Sequence, residues 1–210
     1  LNISSGLLSA PIAANTSSAT VTGGKVVGSE HAILASTTNI GGGEVTSPQN
    51  TIITSNLTMS GGKVECSDEV GITINSTGNI TGGEIYGGTY GVLSKDTLTL
   101  GSDDGTISSE SPRLEGELLG LYIEGSTTNF YDGILKGQGD GYSGNITGLP
   151  LGGVIGEGIE DRQELGVYNT DFVSNFAGWL RIGDTPYNTL NAASTASLEN
   201  EETTIIVTRD

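Results

Sequence analysis

A glycine pair followed by a charged residue and then a β-branched residue recurs along the first two-thirds of this chain. The clearest copy is Ile80-Thr-Gly-Gly-Glu-Ile85. The second glycine of each pair, or its counterpart where the partner is Ser or Asp, lies at Gly6, Gly24, Gly43, Gly62, Gly83, Gly105 and Gly133. These positions are 18, 19, 19, 21, 22 and 28 residues apart. A period of about 20 residues is too short for a helical pair and matches one coil of a β-solenoid.

Apolar residues recur in phase with these glycines and form three columns. The first column, two residues after each glycine, contains Leu8, Val26, Val45, Val64, Ile85, Ile107 and Leu135. The second contains Val21, Ile40, Met59 and Ile80, and the third contains Ile33, Ile52, Ile72, Val92 and Leu121. Three columns per coil predict an all-β solenoid of parallel strands, with about seven coils of about 20 residues over residues 1–137.

The residue after the glycine pair alternates in charge over four successive coils. It is Lys25, Glu44, Lys63 and Glu84 in turn. Since neighbouring parallel strands lie about 4.8 Å apart, we expect these side chains to form a structural ladder of alternating charge on one outer face.

The balance of charged residues limits the kinds of molecule that this chain is expected to bind. Eight Lys and Arg against 25 Asp and Glu give a net charge of −17, which argues against binding nucleic acid or anionic lipid. No apolar run approaches the length of about 18 residues that a membrane span needs, so no membrane insertion is expected. Low hydrophobicity with high charge is also typical of disorder, but the regular placement of Val and Ile favours a thin-cored solenoid.

The last third of the chain, residues 138–210, differs in character. It begins Gly-rich and then contains a cluster of aromatic residues, which are few in the coils: Tyr168, Phe172, Phe176, Trp179 and Tyr187. The patterns predict strands at 178–183 and 203–208 and a short helix at 189–197. Because a solenoid end exposes strand edges and core, we interpret 138–210 as an aromatic-rich cap or adaptor. Within the solenoid, residues 108–120 read as an insertion, either a binding loop or simply a tolerated one.

Residues that could carry chemistry are few. His31 is the only histidine and has no nearby cysteine, so no metal, cofactor or Ser-His-Asp site is expected. Asp103 and Asp104 are weak candidates for a catalytic carboxylate pair. The segments 101–104 and 169–171 resemble those of pectin-cleaving hydrolases, but their order is reversed and the later histidine of that family is missing.

The repeats show a broader resemblance. Residues 21–26, 80–92 and 128–137 resemble repeats of large bacterial surface proteins with a pectate-lyase-like β-helix. Residues 181–207 resemble the strand–helix–strand segment that opens a further β-helix in such proteins. The resemblance implies a right-handed single-stranded parallel β-helix, secretion or surface display, and a structural or adhesive role without catalytic residues.

We therefore expect a non-enzymatic extracellular solenoid that associates end to end or within a larger surface assembly, and that binds glycans in its adhesive form. A polysaccharide-degrading β-helix enzyme stays open as an alternative. So does a glycan-binding module in which Tyr122, Tyr131 or Trp179 stacks on sugar rings.

Asn-X-Ser/Thr sequons begin at Asn2, Asn15, Asn56, Asn75, Asn79 and Asn145, and they permit glycosylation in a secretory setting. The chain begins at Leu1 without a signal peptide, which we interpret as a processed subunit or a fragment.

Overall fold

The computed structural model describes residues 1–101, 112–131, 133–138 and 141–147, together with five strand segments between residues 154 and 207. These residues form strands and connecting segments without a helix. The strands are β1 (Asn2–Ile3), β2 (Leu7–Ser47), β3 (Ile52–Cys66), β4 (Val70–Gly87), β5 (Tyr90–Ser94), β6 (Thr97–Leu100), β7 (Arg113–Gly116), β8 (Leu119–Phe130), β9 (Ile134–Gly137), β10 (Tyr142–Thr147), β11 (Val154–Ile159), β12 (Arg162–Val167), β13 (Leu180–Ile182), β14 (Thr185–Tyr187) and β15 (Ile206–Val207). Several strands run through the corners of the coils, so one label can cover more than one coil.

Strands β1 to β10 stack in parallel as a β-solenoid of about six turns. The third predicted column is confirmed, because Ile33, Ile52, Ile72, Val92 and Leu121 are successive register partners, and Tyr142 extends it. The second column is confirmed from Ile40 to Ile80 and continues through Leu100 and Phe130. The predicted parallel all-β solenoid is therefore the fold of this region.

The first column contains one error of prediction. Ile85 pairs with Leu114, which pairs in turn with Leu135. Leu114 therefore occupies the place that the sequence pattern assigned to Ile107. Leu114 is fully buried, as are Val64 and Leu135 in the same column.

Because Leu114 holds the first-column position, the insertion also lies at a different place in the sequence from the one predicted. The second and first columns are five residues apart in a regular coil, as between Ile80 and Ile85, but 14 residues apart between Leu100 and Leu114. The extra residues therefore lie between Gly101 and Pro112 in the sequence, rather than at 108–120 as predicted. Strands β7 and β8 show that the chain is back in register over most of 112–120.

The interior is a continuous apolar column. Residues from Ala14 to Leu135 form one buried cluster, and the largest fully buried side chains include Phe130, Met59 and Ile80. Each coil contributes only a few of these side chains, so most of the apolar burial arises where one coil stacks on the next.

The corner glycines are required by backbone conformation. Gly24 has φ +72°, and a Cβ added there would lie 2.6 Å from the carbonyl oxygen of Gly6 in the preceding coil. A side chain would be strained in φ and would also meet backbone that cannot move independently. These corners turn the chain from the second column to the first.

Pairing changes after the last regular coil. Parallel stacking continues past Gly137, the predicted solenoid boundary, through β10 to Thr147. Strand β12 then pairs antiparallel with β9 and with β11. Strands β13, β14 and β15 form a separate antiparallel sheet, in which β13 and β15 lie within the predicted strands at 178–183 and 203–208. The predicted helix at 189–197 lies outside the described residues.

Candidate functional faces of the solenoid

The predicted charge ladder lies on one outer face, beside the first apolar column. Glu44, Lys63 and Glu84 are successive register partners, and the amino group of Lys25 lies 2.8 Å from a carboxylate oxygen of Glu44. The side chains are about 40% exposed, so this ion pair adds at most about 1 kcal/mol. It favours the correct register more than it stabilises the fold.

In the next coil of the ladder, an ion pair joins two residues of the same strand. The ammonium of Lys63 lies 2.9 Å from the carboxylate of Glu65, two positions later on its own strand. This hydrogen bond, and then the charge of Glu65, raise the pKa of Lys63 above its usual 10.5. Burial lowers that pKa, whereas Glu44 and Glu84 add smaller upward contributions.

The ladder continues past the four residues that the sequence suggested. Glu84 is the register partner of Arg113, the second residue after the insertion. Arg113 Nε and Lys136 Nζ lie 3.8 and 3.7 Å from the same carboxylate oxygen of Glu115. Arg113 was missed because only the register reveals that it follows Glu84.

A groove of about 310 Å³ opens between the coils that carry Lys63 and Arg113. Glu84 and Tyr86 belong to the coil between these two and line the groove. The hydroxyl of Tyr86 donates to Glu117 at 3.3 Å. The groove combines both signs of charge with an aromatic ring and suits a small polar ligand better than a strongly charged one.

Two of the three aromatic residues proposed to stack on sugars, Tyr122 and Tyr131, lie in the described part of the chain. Tyr122 stacks on Tyr90, with ring centroids 5.0 Å apart and planes inclined by 24°, so one of its faces is already covered. Tyr131 is half-buried at the end of β8, and Trp179 lies outside the described residues.

A second outer face, beside the second apolar column, was missed at the sequence level. Its central row consists of register partners in six successive coils: Asn39, Thr58, Asn79, Thr99, Asn129 and Thr147. A parallel row two residues earlier contains Thr37, Asn56, Thr77 and Thr97 as successive partners. We call these two rows together the Asn/Thr face. The signal was the residue before the second column, which alternates between Asn and Thr.

All six sequon asparagines are exposed. Two of them, Asn56 and Asn79, lie on the Asn/Thr face. A sequon in a strand projects its asparagine and its hydroxyl residue from the same side, because side chains alternate with period two. Covalent glycans at these positions would cover that face.

The residues considered for catalysis are not brought together in the described part of the chain. Asp103 and Asp104 lie outside it. His31 Nδ1 lies 2.9 Å from the carbonyl oxygen of Asn50. Cys66 is buried, donating to Pro48 O and accepting from the Glu69 N–H. Among the described residues there is no group of three or more His, Cys, Asp or Glu placed to hold a metal ion.

Comparison with known proteins does not identify a family. The chain matches no family model, and no curated protein or solved structure matches it significantly. The described residues contain no helix long and apolar enough to cross a membrane.

Proposed function

We propose that this chain is an extracellular, non-enzymatic structural or adhesive β-solenoid, a subunit of a surface filament or layer. The observation that carries the proposal is the unbroken coil-to-coil register of the three apolar columns. A stack held together along its whole length suits a rigid spacer that displays its outer faces.

The surface supports the same role. The outer rows consist mainly of hydroxyl, amide and paired charged side chains, and every sequon asparagine is exposed. Such a surface tolerates solvent and glycans, and the net charge of −17 disfavours side-by-side aggregation of neighbouring molecules.

Our proposal also covers the handedness of the solenoid, its number of coils and its cap. We take the solenoid to be right-handed, in keeping with the usual hand of parallel crossover connections, and to reach about seven coils when its end coils are counted. The antiparallel pairing of β12 with β9 supports a cap built from the residues after 147, because an antiparallel strand ends parallel propagation at that edge.

End-to-end association is the mode of assembly that the fold favours. Among the described residues, β1 pairs along one edge only, and the first coil leaves Leu1 44% exposed. A further coil, whichever polypeptide supplies it, would extend the hydrogen bonding of β1 and cover Leu1. Electron microscopy of the purified chain over a range of concentrations should show rods that lengthen as concentration rises. Isolated particles of constant length would contradict self-association.

Localisation tests the extracellular part of the proposal. Antibodies raised against the solenoid should label intact producing cells or detect the protein in their medium. Labelling that requires permeabilised cells would contradict it. A polysaccharide panel tests the non-enzymatic part, since release of reducing ends that is lost in an Asp104→Asn variant would favour the hydrolase alternative.

A further inference from the structure

The Asn/Thr face has a chemical period of two coils. Asn and Thr alternate in strict order through the central row from Asn39 to Thr147, and the register pair Asn2 and Thr20 follows the same alternation. In the neighbouring row, Thr37, Asn56 and Thr77 alternate in the opposite sense, and the alternation ends at Thr97, the register partner of Thr77. With about 4.8 Å between strands, the pattern repeats about every 9.6 Å along the axis.

Some polar groups on this face are left to solvent, although Asn56 Nδ2 donates to the carbonyl oxygen of Ser36 at 3.5 Å. In the described part of the chain, the side chains of Thr58, Thr77 and Asn79 are exposed and make no hydrogen bond to protein. Interior hydroxyls behave differently, since Thr38 donates to Thr54 and Thr51 donates to the carbonyl oxygen of Glu65. The side chains of Thr58, Thr77 and Asn79 therefore present donors and acceptors to solvent or to a ligand.

The face is also uncharged, although the chain carries 25 acidic residues. All positions of both rows are Asn or Thr. At the end of the second row, the Thr97 hydroxyl donates to the carboxylate of Asp96 at 3.3 Å. The ion pairs of the described residues lie instead on the face of the charge ladder. A ligand on the Asn/Thr face would meet hydrogen-bonding groups without a local charge.

We propose that the Asn/Thr face binds an extended, neutral, β-linked polysaccharide lying along the solenoid axis. A chain in which alternate sugar rings are turned by half a revolution presents its hydroxyl groups with a two-ring period, which suits a protein surface with a two-coil period. Each amide–hydroxyl contact is weak, so affinity arises from many coils acting on one chain. This inference deepens the adhesive function proposed above by naming its ligand class and its face.

Affinity electrophoresis of the full chain in gels that contain hydroxyethylcellulose, xylan or polygalacturonate tests the inference. We expect retardation by the two neutral polymers, none by polygalacturonate, and little change when salt is raised from about 50 to about 500 mM, since no ion pairs are involved. Short oligosaccharides should bind far more weakly than the polymers.

Variants assign the binding to the face. Thr58→Lys places a charged side chain in the central row and should abolish retardation. Its matched control, Thr46→Lys, makes the same change on the face of the charge ladder, where Thr46 pairs with Glu65, and should leave retardation unchanged. The double variant Thr58→Val/Thr99→Val keeps the β-branched shape and removes two hydroxyls, so it should weaken binding roughly ten-fold.

Three outcomes would overturn the inference. These are no retardation by either neutral polymer, retardation that Thr58→Lys leaves intact, and sedimentation showing a dimer that Thr58→Lys dissociates, which would make the face a contact between copies. Surface labelling of cells separates this inference from the proposed function. If the protein is displayed on the cell surface but binds no polysaccharide, the inference fails and the proposed structural function stands.

Discussion

At the scale of single residues, the fold depends on positions that only one residue type can fill. Gly24 turns the chain from the second column to the first with a positive φ, against the backbone of the coil below. Gly41 lies two residues before Gly43 at the next corner, where an added Cβ would find its nearest atoms at 3.8 and 3.9 Å. The glycines of one repeat therefore differ in how much they constrain the fold.

Alanine substitution separates these two kinds of glycine. Gly24→Ala should lower the free energy of unfolding by about 1–3 kcal/mol or more, because φ strain adds to the backbone clash. Gly41→Ala should change it by less than about 1 kcal/mol. Urea denaturation of both variants measures the difference, and equal destabilisation would contradict the assignment of the corner.

The ionic contact of Lys63 predicts a pH dependence. Its folded pKa is raised above 10.5, so its contribution to stability is fully present below the unfolded pKa and is lost as pH rises through the folded pKa. The difference in unfolding free energy between the wild type and Lys63→Met should stay constant up to about pH 10 and shrink above it. A difference that grows with alkalinity would show that the contact with Glu65 does not form.

At the scale of elements, inward-facing and outward-facing side chains on neighbouring strands contribute differently to the free energy of unfolding. Ile72 is fully buried in the third column, whereas Ile53, next to Ile52 of that column, is half-buried on the outer side. The alternation of a strand places them on opposite faces.

Matched truncation measures that difference. Ile72→Ala should destabilise the fold by about 2–5 kcal/mol, and Ile53→Ala by about 1 kcal/mol or less. Thermal unfolding followed by circular dichroism gives both values. A larger loss for Ile53→Ala would mean that the strand is placed with the wrong side inward.

The insertion is predicted to be dispensable for folding. Replacing residues 102–112 with Gly-Gly leaves Gly101-Gly-Gly-Arg113-Leu114, which copies the corner Thr81-Gly-Gly-Glu84-Ile85. The second glycine still supplies the carbonyl that Pro112 offers to the Ile134 N–H. We expect an unchanged or higher melting temperature, because the shorter connection costs less closure entropy. Unfolding or aggregation of this variant would contradict the register of Leu114.

The sequence predicted the elements of the regular coils well and failed where local pattern and register conflict. The segment Asp104-Gly105-Thr-Ile107 has the same pattern as a corner followed by a first-column residue. The sequence pattern therefore predicted that it belongs to a regular coil. Leu114 holds that place only because it pairs with Ile85, and pairing between coils cannot be read from either segment alone. The Asn/Thr alternation was legible in the sequence, since Thr20 and Asn39 precede Val21 and Ile40.

At the scale of the whole molecule, the stack sorts its chemistry by face. Apolar columns fill the interior, ion pairs between side chains lie beside the first column, and amide and hydroxyl groups lie beside the second. Because each outer row repeats at every coil, a weak contact made once is made many times. The length and continuity of the stack are thus the properties on which the proposed structural or adhesive role rests.

Distances between spin labels along one outer row test the continuous stack most directly. In a Cys66→Ala background, one label is placed at Asn39 and a second in turn at Thr99, Asn129 and Thr147, which lie three, four and five coils away. The account predicts distances that rise in even steps of about 4.8 Å per coil, from about 14 to about 24 Å. Distances that rise unevenly, or that grow with the number of intervening residues instead of the number of coils, would contradict it.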